Sequence, residues 1–333
     1  MTSNNLDVLC YGNAIVDMIA QAEDNFLQQH GLTKSAMHLI DEARAEALYE
    51  AMGPVTEISG GSAANTAAGI ASLGGKAGFI GKVKADGLGK SFTHDIRAVG
   101  VTFTTPPAQD GPATARSMIL VTPDSERTMN TYLGASQNLE GGDVDTELTK
   151  TAKVVYLEGY LWDPPKAKEA FRKAAKIAHE HGRKVALTLS DLFCIEAHRD
   201  EFLNLMKTGT IDIVFANEAE LKALYQTADY DTATKALQND IPLAIVTRSE
   251  KGCVILNNGE QIEVPAQTVE TIIDTTGAGD LFAAGFLYGL TNNLPLQRCG
   301  ELGAMAAAEV ISHLGARPQT NLRQLAIEKG LLV

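Results

Sequence analysis

The sequence predicts an α/β protein, in which helices cover a mostly parallel sheet and a small second sheet is added. Short β-rich runs alternate with amphipathic helical runs through most of the 333 residues, as in sheets covered by helices. Several strand-like runs in the early part of the chain have few helices between them, which indicates the second sheet. A composition with 45% hydrophobic and 21% charged residues excludes a disordered or fibrous chain.

The early part of the chain supplies one strand of the large sheet and the strands of the small sheet. The run 7–11 is a predicted strand and is followed at once by Gly12-Asn13. The runs assigned to the small sheet are 34–40, 101–105, 115–121 and 128–133. Helical patterns at 61–73 and 87–99 interrupt them. We therefore expect one domain over 1–333, with a small sheet built discontinuously from about 13–40 and 101–134.

The later part of the chain has the regular alternation of a parallel sheet. The predicted strands are 153–157, 184–189, 211–215 and 243–247. A helix is predicted over 165–181, with Gly182 at its end, and another begins near Asn217. A hairpin is predicted over 253–264, around Asn257-Asn258-Gly259.

Charge and cysteine usage narrow the classes of partner. Lys and Arg number 28 against 41 Asp and Glu, a net charge of −13, and no basic run interrupts that balance. Nucleic acid and anionic membrane surfaces are therefore excluded as main partners, and no stretch is apolar enough for a bilayer span. The four cysteines show no CxxC spacing and the N-terminus does not resemble a signal peptide, so we expect a cytoplasmic protein.

The sharpest motif is Asp-Thr-Thr-Gly-Ala-Gly-Asp at 274–280, which opens an apolar helical run. Glycines before a helix let main-chain N–H groups converge on an anion, so the motif indicates a phosphate cradle. An aspartate beside a transferring phosphoryl group can accept the proton of an attacking hydroxyl, which makes Asp280 a candidate base. A turn with an N-capping aspartate explains Gly-Ala-Gly-Asp equally well.

Three more segments carry groups suited to ligands, each with a plain structural alternative. Gly-Gly-Ser-Ala-Ala-Asn at 60–65 allows close approach of a ligand beside Asn65, or is a tight turn before a packed helix. Asp17, placed at the carboxyl edge of the first strand, could accept from two neighbouring hydroxyls, or cap a turn. Asn217 and Glu220, on one side of a helix's first turn, could hold Mg²⁺, or form a helix cap.

In this order and spacing, the segments resemble the ribokinase-like (PfkB) family of carbohydrate and nucleoside kinases. The run 60–65 is similar to the family's first signature and 274–280 to its second, and the likeness extends from about residue 6 to about residue 317. The resemblance implies a three-layer α/β/α body whose central sheet is mostly parallel, with a small β-sheet lid over the substrate. The resemblance also implies that the protein uses ATP and Mg²⁺ as cofactors, and it allows a bound monovalent cation.

The same resemblance implies roles for individual residues. Asp280 would take the proton from the substrate hydroxyl. The amides of the anion hole would be those of Gly277, Ala278 and Gly279. The groups that hold the substrate would be Asn13, Asp17, Gly61 and Asn65. Arg127 could project from the lid toward the phosphates, or lie only at a solvated hairpin tip. The ATP-binding residues would be Asn217, Thr247 and Gly252, and Glu220 would hold Mg²⁺ through water.

Within the family, three segments resemble adenosine kinases and closely related bacterial proteins. They are 157–160, 188–191, where Ser190 departs from the sugar-kinase pattern, and the lid segment 125–135. The resemblance therefore implies transfer of phosphate from ATP to the 5′-hydroxyl of adenosine. Apolar residues that could surround the base are Met37, Leu39, Phe103 and Leu133, although core packing explains each of them too.

Other functions remain open at the level of the sequence. A kinase of the same family could act on a free sugar such as ribose, fructose or a keto-deoxy sugar acid, whose carboxylate would need Arg116 or Arg127. A catalytically silent binding protein would have no use for Asp280. A dinucleotide-dependent dehydrogenase is disfavoured, because this chain has Phe282 where the third glycine of the dinucleotide-binding motif would be. The chain could be a monomer or a homodimer.

Overall fold

The computed structural model describes residues 5–124 and 126–333; Ser125, the first residue of the predicted segment 125–135, lies outside the described residues. The strands are β1 (Val8–Tyr11), β2 (Ile15–Gln21), β3 (Met37–Leu39), β4 (Thr56–Gly60), β5 (Ala77–Ile80), β6 (Thr102–Phe103), β7 (Ala115–Val121), β8 (Arg127–Tyr132), β9 (Val154–Glu158), β10 (Lys184–Thr188), β11 (Ile213–Asn217), β12 (Leu243–Thr247), β13 (Cys253–Asn257) and β14 (Glu260–Val264). The helices are α1 (Asp24–Gln29), α2 (Glu42–Ala51), α3 (Ser62–Ser72), α4 (Gly87–Ala98), α5 (Thr146–Thr151), α6 (Pro165–Glu180), α7 (Leu192–Lys207), α8 (Glu218–Leu224), α9 (Tyr230–Asp240), α10 (Ala278–Thr291), α11 (Leu296–Val310) and α12 (Leu322–Glu328).

The large sheet confirms the predicted α/β class. Its nine strands run in the order β14-β13-β12-β11-β10-β9-β1-β5-β6, and all are parallel from β12 to β6. Only β13 and β14, the predicted hairpin, pair antiparallel. The strand β1 is a continuous apolar run buried on both faces, as expected where helices cover both sides of a parallel sheet.

Helices cover the large sheet on both faces, which confirms the three-layer body. One core cluster joins the sheet to α3, α4, α10, α11 and α12. A second cluster on the other face joins it to α5, α6, α7, α8 and α9. The described part of the chain contains no helix long and apolar enough to cross a membrane. The four cysteines are all buried and unpaired.

The helix α10 is held firmly in this body because it is buried on nearly every side. Its small residues permit close packing: a Cβ on Gly285 would meet the Leu302 carbonyl at 2.4 Å, and one on Gly289 would meet Cys299 Sγ at 2.9 Å. On its other side α10 packs against Gly69 of α3. The start of α10, which carries the predicted phosphate motif, therefore has a fixed position.

The small sheet has five strands in the order β3-β8-β7-β2-β4. Its composition corrects the predicted boundaries in two places. Residues 102–103, predicted for the small sheet, form the edge of the large one, and Phe103 packs there against Phe79 and Phe92 rather than beside a ligand. The strand β4, outside the predicted ranges, pairs with β2 instead.

One face of the small sheet is covered by helices. Val16, Met18 and Met118 pack in the same core cluster as Ala45 and Leu48 of α2. A smaller cluster packs the helix α1 against the strands β2 and β7, and consists of Ala20, Leu27 and Leu120. The opposite face is turned toward the large sheet's helices and strand ends.

Candidate active site

A cavity of about 670 Å³ lies between the small sheet and the carboxyl ends of the large sheet's strands. Five neighbouring strands of the large sheet bring polar residues to its wall at or just after their ends: Asn13, Glu158, Thr188, Asn217 and Thr247. Ligands of open α/β sheets bind outside the carboxyl ends of the strands. The cavity is therefore the candidate active site.

The small sheet forms the opposite wall with its free face. Alternate residues of a strand point to the same face, and Asp17 and Ser117, which are paired neighbours on β2 and β7, both line the cavity. Three of the four apolar wall residues expected from the sequence also line it: Met37, Leu39 and Leu133.

Asp280 lies in the first turn of α10, at the wall of the cavity. Its carboxylate accepts hydrogen bonds from Ser62 Oγ at 2.6 Å and from Asn65 Nδ2 at 3.0 Å. Burial raises the pKa of Asp280 above its ordinary value, against the opposing effects of these two hydrogen bonds and of Arg317. A carboxylate with a raised pKa in a cavity is suited to accept a proton near neutral pH.

The residues at the start of α10 leave main-chain N–H groups free. Gly277 has φ +81°, and a Cβ there would lie 2.8 Å from that of Ala316, so only glycine is accommodated. Within residues 5–124 and 126–333, the N–H groups of Gly277 and Gly279 have no acceptor, whereas that of Ala278 donates to the Thr275 carbonyl at 3.2 Å. Two of the three predicted amides are therefore free for an anion at the start of a 14-residue helix.

The turn before α3 explains its two glycines and brings Asn65 to the cavity. Gly61 has φ +97°, and a Cβ there would lie 2.1 Å from the Asn13 carbonyl oxygen. Asn65 is buried, and its Oδ1 has no partner in the described part of the chain. A buried acceptor without a partner is costly unless a ligand or water supplies a donor. Asn65 can therefore accept from a substrate hydroxyl.

Asn13 and Glu158 form a buried network at the centre of the cavity wall. Asn13 Nδ2 donates to Glu158 Oε1 at 2.8 Å, while Asn13 Oδ1 accepts from Ser136 at 2.8 Å and Gln137 at 3.3 Å. The other Glu158 oxygen accepts from the N–H of Ala63 at 2.8 Å, and burial raises the pKa of Glu158 to about 7. Glu158 lies in the segment 157–160 that resembles adenosine kinases, but the resemblance assigns it no role; its position at a strand end is the available signal.

Asp17 lines the cavity, but from a different element of the fold than the sequence predicts. It lies within β2 of the small sheet rather than at the carboxyl edge of β1, because the chain crosses to the small sheet directly after Asn13. Burial raises the pKa of Asp17 to about 7, although Arg317 and Arg127 oppose the rise. Sequence reasoning did not single out Arg317, which lies 37 positions after Asp280 and carries no motif.

Arg127 is engaged in an ion pair between the small sheet and the phosphate motif. Its Nη2 lies 2.8 Å from Asp274 Oδ2, and the two side chains are only 8% and 3% exposed. Arg127 is therefore not at an exposed hairpin tip, and it does not belong to the cavity wall. Its predicted contact with the phosphates stays a prediction.

Asn217 and Glu220 form a helix cap, which is the structural alternative that the sequence offers to a Mg²⁺ site. Glu220 oxygens accept from the N–H of Asn217 at 3.0 Å and from its Nδ2 at 2.6 Å, and Asn217 Oδ1 accepts from the N–H of Glu220. Burial raises the pKa of Glu220 to about 7. The described residues contain no cluster of three His, Cys, Asp or Glu side chains that could hold a metal ion. This donor set fits an Mg²⁺ ion held mainly by phosphate oxygens and water.

The two remaining predicted ATP residues differ in position. Thr247, at the end of β12, lines the cavity. Gly252 does not, and the reason for its glycine is local: φ is +84°, and a Cβ would lie 2.0 Å from the Val264 carbonyl oxygen.

Two aromatic rings that the motif analysis did not assign also line the cavity. The centroids of Tyr160 and Phe193 are 5.7 Å apart, and Phe193 is 41% exposed. The N–H of Tyr160 donates to Ser190 Oγ at 3.2 Å, and that of Phe193 donates to Asp191 Oδ1 at 3.1 Å. Both rings thus follow strand ends, and Ser190, the departure from the sugar-kinase pattern, helps to place one of them.

Known proteins resemble the whole of this chain. Residues 6–322 match the model of the pfkB family carbohydrate kinase. A probable sugar kinase from Rhizobium etli CFN 42 is 55% identical, with a TM-score of 0.93 over 98% of this chain and 99% of that one. Adenosine kinase from Sinorhizobium meliloti is also 55% identical, with a TM-score of 0.92 over the same shares. Probable fructokinase-6, chloroplastic, of Arabidopsis thaliana is 30% identical over 298 residues, 87% of this chain and 71% of that protein.

These findings confirm the resemblance drawn from the two signatures and agree with the three-layer body and its second sheet. Kinases of this family transfer a phosphoryl group from ATP to a hydroxyl group. The free amides at the start of α10 and the carboxylate of Asp280 are groups suited to such a transfer. The chain belongs to the PfkB family of carbohydrate kinases and is a phosphotransferase with an alcohol group as acceptor.

Proposed function

We propose that this kinase transfers the γ-phosphoryl group of ATP to the 5′-hydroxyl of adenosine, which gives AMP and ADP. The observation that carries the choice of a nucleoside is the pair of rings Tyr160 and Phe193 in the cavity wall. A purine stacks on such rings, a contact of about 1–3 kcal/mol per base, whereas a free sugar presents no aromatic face. The 55% identity to adenosine kinase from Sinorhizobium meliloti supports the same choice.

In the proposed reaction Asp280 acts as the general base. The 5′-oxygen forms a bond to the γ-phosphorus, the bond between that phosphorus and the β–γ bridging oxygen breaks, and the hydroxyl proton passes to Asp280. Ser62 and Asn65 orient the carboxylate for this step through their hydrogen bonds. The positioning matters because phosphoryl transfer depends on alignment more than on covalent chemistry by the protein.

The ribose would be held by acceptors on both walls of the cavity. Asn65 Oδ1, which is buried without a partner in the described chain, accepts from one hydroxyl, and the Asp17 carboxylate accepts from others. Met37, Leu39 and Leu133 of the small sheet supply apolar surface on the same side. Closure of the small sheet over the ligand would exclude water and so prevent hydrolysis of ATP.

The phosphates would be held at the start of α10. The free N–H groups of Gly277 and Gly279 and the dipole of the helix favour the γ-phosphate there. Mg²⁺ would supply positive charge to neutralise the β- and γ-phosphates, and Glu220 would hold one of its waters. Thr247 and Asn217 line the cavity beside Glu220 and would contact the nucleotide.

A free sugar such as ribose or fructose is the second candidate, and the fructokinase relative at 30% identity favours it. The polar part of the cavity would serve a sugar alone. A keto-deoxy sugar acid receives less support, because neither arginine proposed for its carboxylate belongs to the cavity wall. Arg116 lies 3.8 Å from Glu46 on the helix-covered side of the small sheet, and Arg127 pairs with Asp274.

The test is ADP release with MgATP across adenosine, other nucleosides, ribose, fructose and keto-deoxygluconate. We expect turnover with adenosine and a loss of about 10²- to 10⁴-fold in kcat for Asp280→Asn, the range typical of a general base. Turnover confined to a free sugar would overturn adenosine as the substrate. Near-normal turnover by Asp280→Asn would overturn the role of the base.

A further inference from the structure

The turn from β4 into α3 gathers three charged side chains along four consecutive residues. Ser59 Oγ accepts a hydrogen bond from Arg317 Nη2 at 3.3 Å. Gly60 lies so close to the Asp17 carboxylate that a Cβ on it would be 2.3 Å from Oδ2. Ser62 Oγ donates to the Asp280 carboxylate at 2.6 Å. Arg317 therefore shares one short segment with both carboxylates of the site.

The backbone around Arg317 is fixed to the phosphate motif. The N–H of Gly315 donates to Asp274 Oδ2 at 2.9 Å, and Ala316 packs on Gly277. Arg317 Nε and Nη1 are buried and have no hydrogen-bond partner in the described ranges 5–124 and 126–333. A buried guanidinium in this state persists only where neighbouring carboxylates compensate its charge.

The charges that act on Arg317 come from three elements. Asp17 on β2, Asp280 on α10 and Asp95 on α4 all stabilise its charged form. Asp17 is also influenced by Arg127 of β8 and by Asp274. Burial lowers the pKa of Arg317 to about 10, so it remains a cation at neutral pH.

We propose that Arg317 is a positioning residue that allows Asp17 and Asp280 to be ionised together. Two carboxylates in one buried site disfavour each other's ionised form, and a cation that favours the ionised form of both reduces that conflict. Asp17 can then accept from substrate hydroxyls while Asp280 accepts the reacting proton. This inference rests on the proposed role of Asp280 as the base, and it adds a residue that does not itself touch the substrate.

The experiment compares the pH dependence of kcat/KM for the wild type, Arg317→Gln and Arg317→Lys. Loss of the cation raises the pKa of both carboxylates, so the acidic limb for Arg317→Gln should move upward by about one pH unit or more, with activity recovering at high pH. Arg317→Lys should restore most of the original limb. Arg116→Gln is the matched control, because Arg116 is also a buried arginine with unpartnered nitrogens in the described chain but faces away from the cavity.

A second measurement covers the case in which Arg317→Gln is too inactive for kinetics. Among the resonances of ¹³C-labelled aspartate carboxyls, those of Asp17 and Asp280 are assigned by their loss in Asp17→Asn and Asp280→Asn. The midpoints of these two resonances in an NMR titration should rise in Arg317→Gln. Unmoved midpoints, or a uniform loss of activity at every pH, would overturn the positioning role. If Asp280→Asn retains turnover, the proposed base is wrong instead, so the two failures are distinguishable.

Discussion

Ser62 and Asp280 lie 218 positions apart in the chain and are joined by a hydrogen bond of 2.6 Å. The bond connects the start of α3 to the start of α10. Since α10 is buried in the body and α3 follows directly on a strand of the small sheet, the orientation of Asp280 depends on where that turn lies.

The first prediction concerns Ser62→Ala. Hydrogen bonds to charged groups contribute about 1.5–3 kcal/mol, so we expect kcat/KM at neutral pH to fall about tenfold or more. The acidic limb of the pH profile should also move upward, because this hydrogen bond lowers the pKa of Asp280. Ser72→Ala, on the same helix, is the control: its Oγ accepts from the N–H of Leu322 at 3.0 Å, outside the cavity. Equal kinetics for both variants would contradict the prediction.

The second prediction separates the two glycines that flank Ala278. Gly277→Ala should lower the free energy of unfolding by about 1–3 kcal/mol, because its backbone is left-handed and its Cβ would press on Ala316. Gly279→Ala should leave stability unchanged or higher, since a Cβ there meets no atom within 4 Å. Its methyl group would enter the space before the free amides, so KM for ATP should rise about tenfold. Urea unfolding and ATP kinetics check both variants. A Gly279→Ala variant that is less stable than the wild type but has a normal KM for ATP would contradict the prediction.

The third prediction concerns Glu158→Gln and stability as a function of pH. The pKa of Glu158 is raised to about 7 in the folded state, so the folded state keeps a proton that the unfolded state releases. Stability from this group is present below about pH 4.5 and is lost as pH rises through 7. The wild type should therefore lose up to about 3 kcal/mol relative to Glu158→Gln over that interval.

Denaturant unfolding at several pH values measures this difference. Glu147→Gln is a suitable control, because the Glu147 side chain is 81% exposed and pairs with Lys150 at the surface. A constant offset between the wild type and Glu158→Gln across the range would mean that Glu158 does not hold a proton in the folded protein.

The fourth prediction tests the aromatic face. Tyr160→Ala and Phe193→Ala should each raise KM for adenosine about tenfold, since stacking on one ring contributes ~1–3 kcal/mol. Turnover with ribose, where it is measurable, should not change. Tyr49→Ala removes an aromatic ring that is 41% exposed and lies outside the cavity wall, and should behave as the wild type. Parallel losses with both substrates would indicate that the rings only support the fold.

The fold and the motif at 274–280 could be predicted because their signals are local. Buried parallel strands are continuous apolar runs, and glycines before a helix have a defined conformational use. The glycine-rich start of α10 and the helix cap at Asn217 both follow from residues close together in the sequence.

The features that the sequence does not indicate depend on contacts between residues far apart in the chain. Residues 102–103 extend the large sheet because they align with β5, although their composition suits either sheet. Asp17 belongs to the small sheet because the chain crosses over after Asn13. Arg317 and Glu158 owe their importance to partners more than 90 positions away, and no motif marks such contacts.

The helix-covered face of the small sheet has a consequence for assembly. Since α1 and α2 occupy one face and the cavity the other, a second protein chain could join this sheet only along the edge strands β3 and β4. The strand β3 has just three residues, and β4 already lies against α4. An unpaired edge that short offers few main-chain hydrogen bonds, so the sheet is protected against extension by neighbouring molecules while its inner face stays available to ligands.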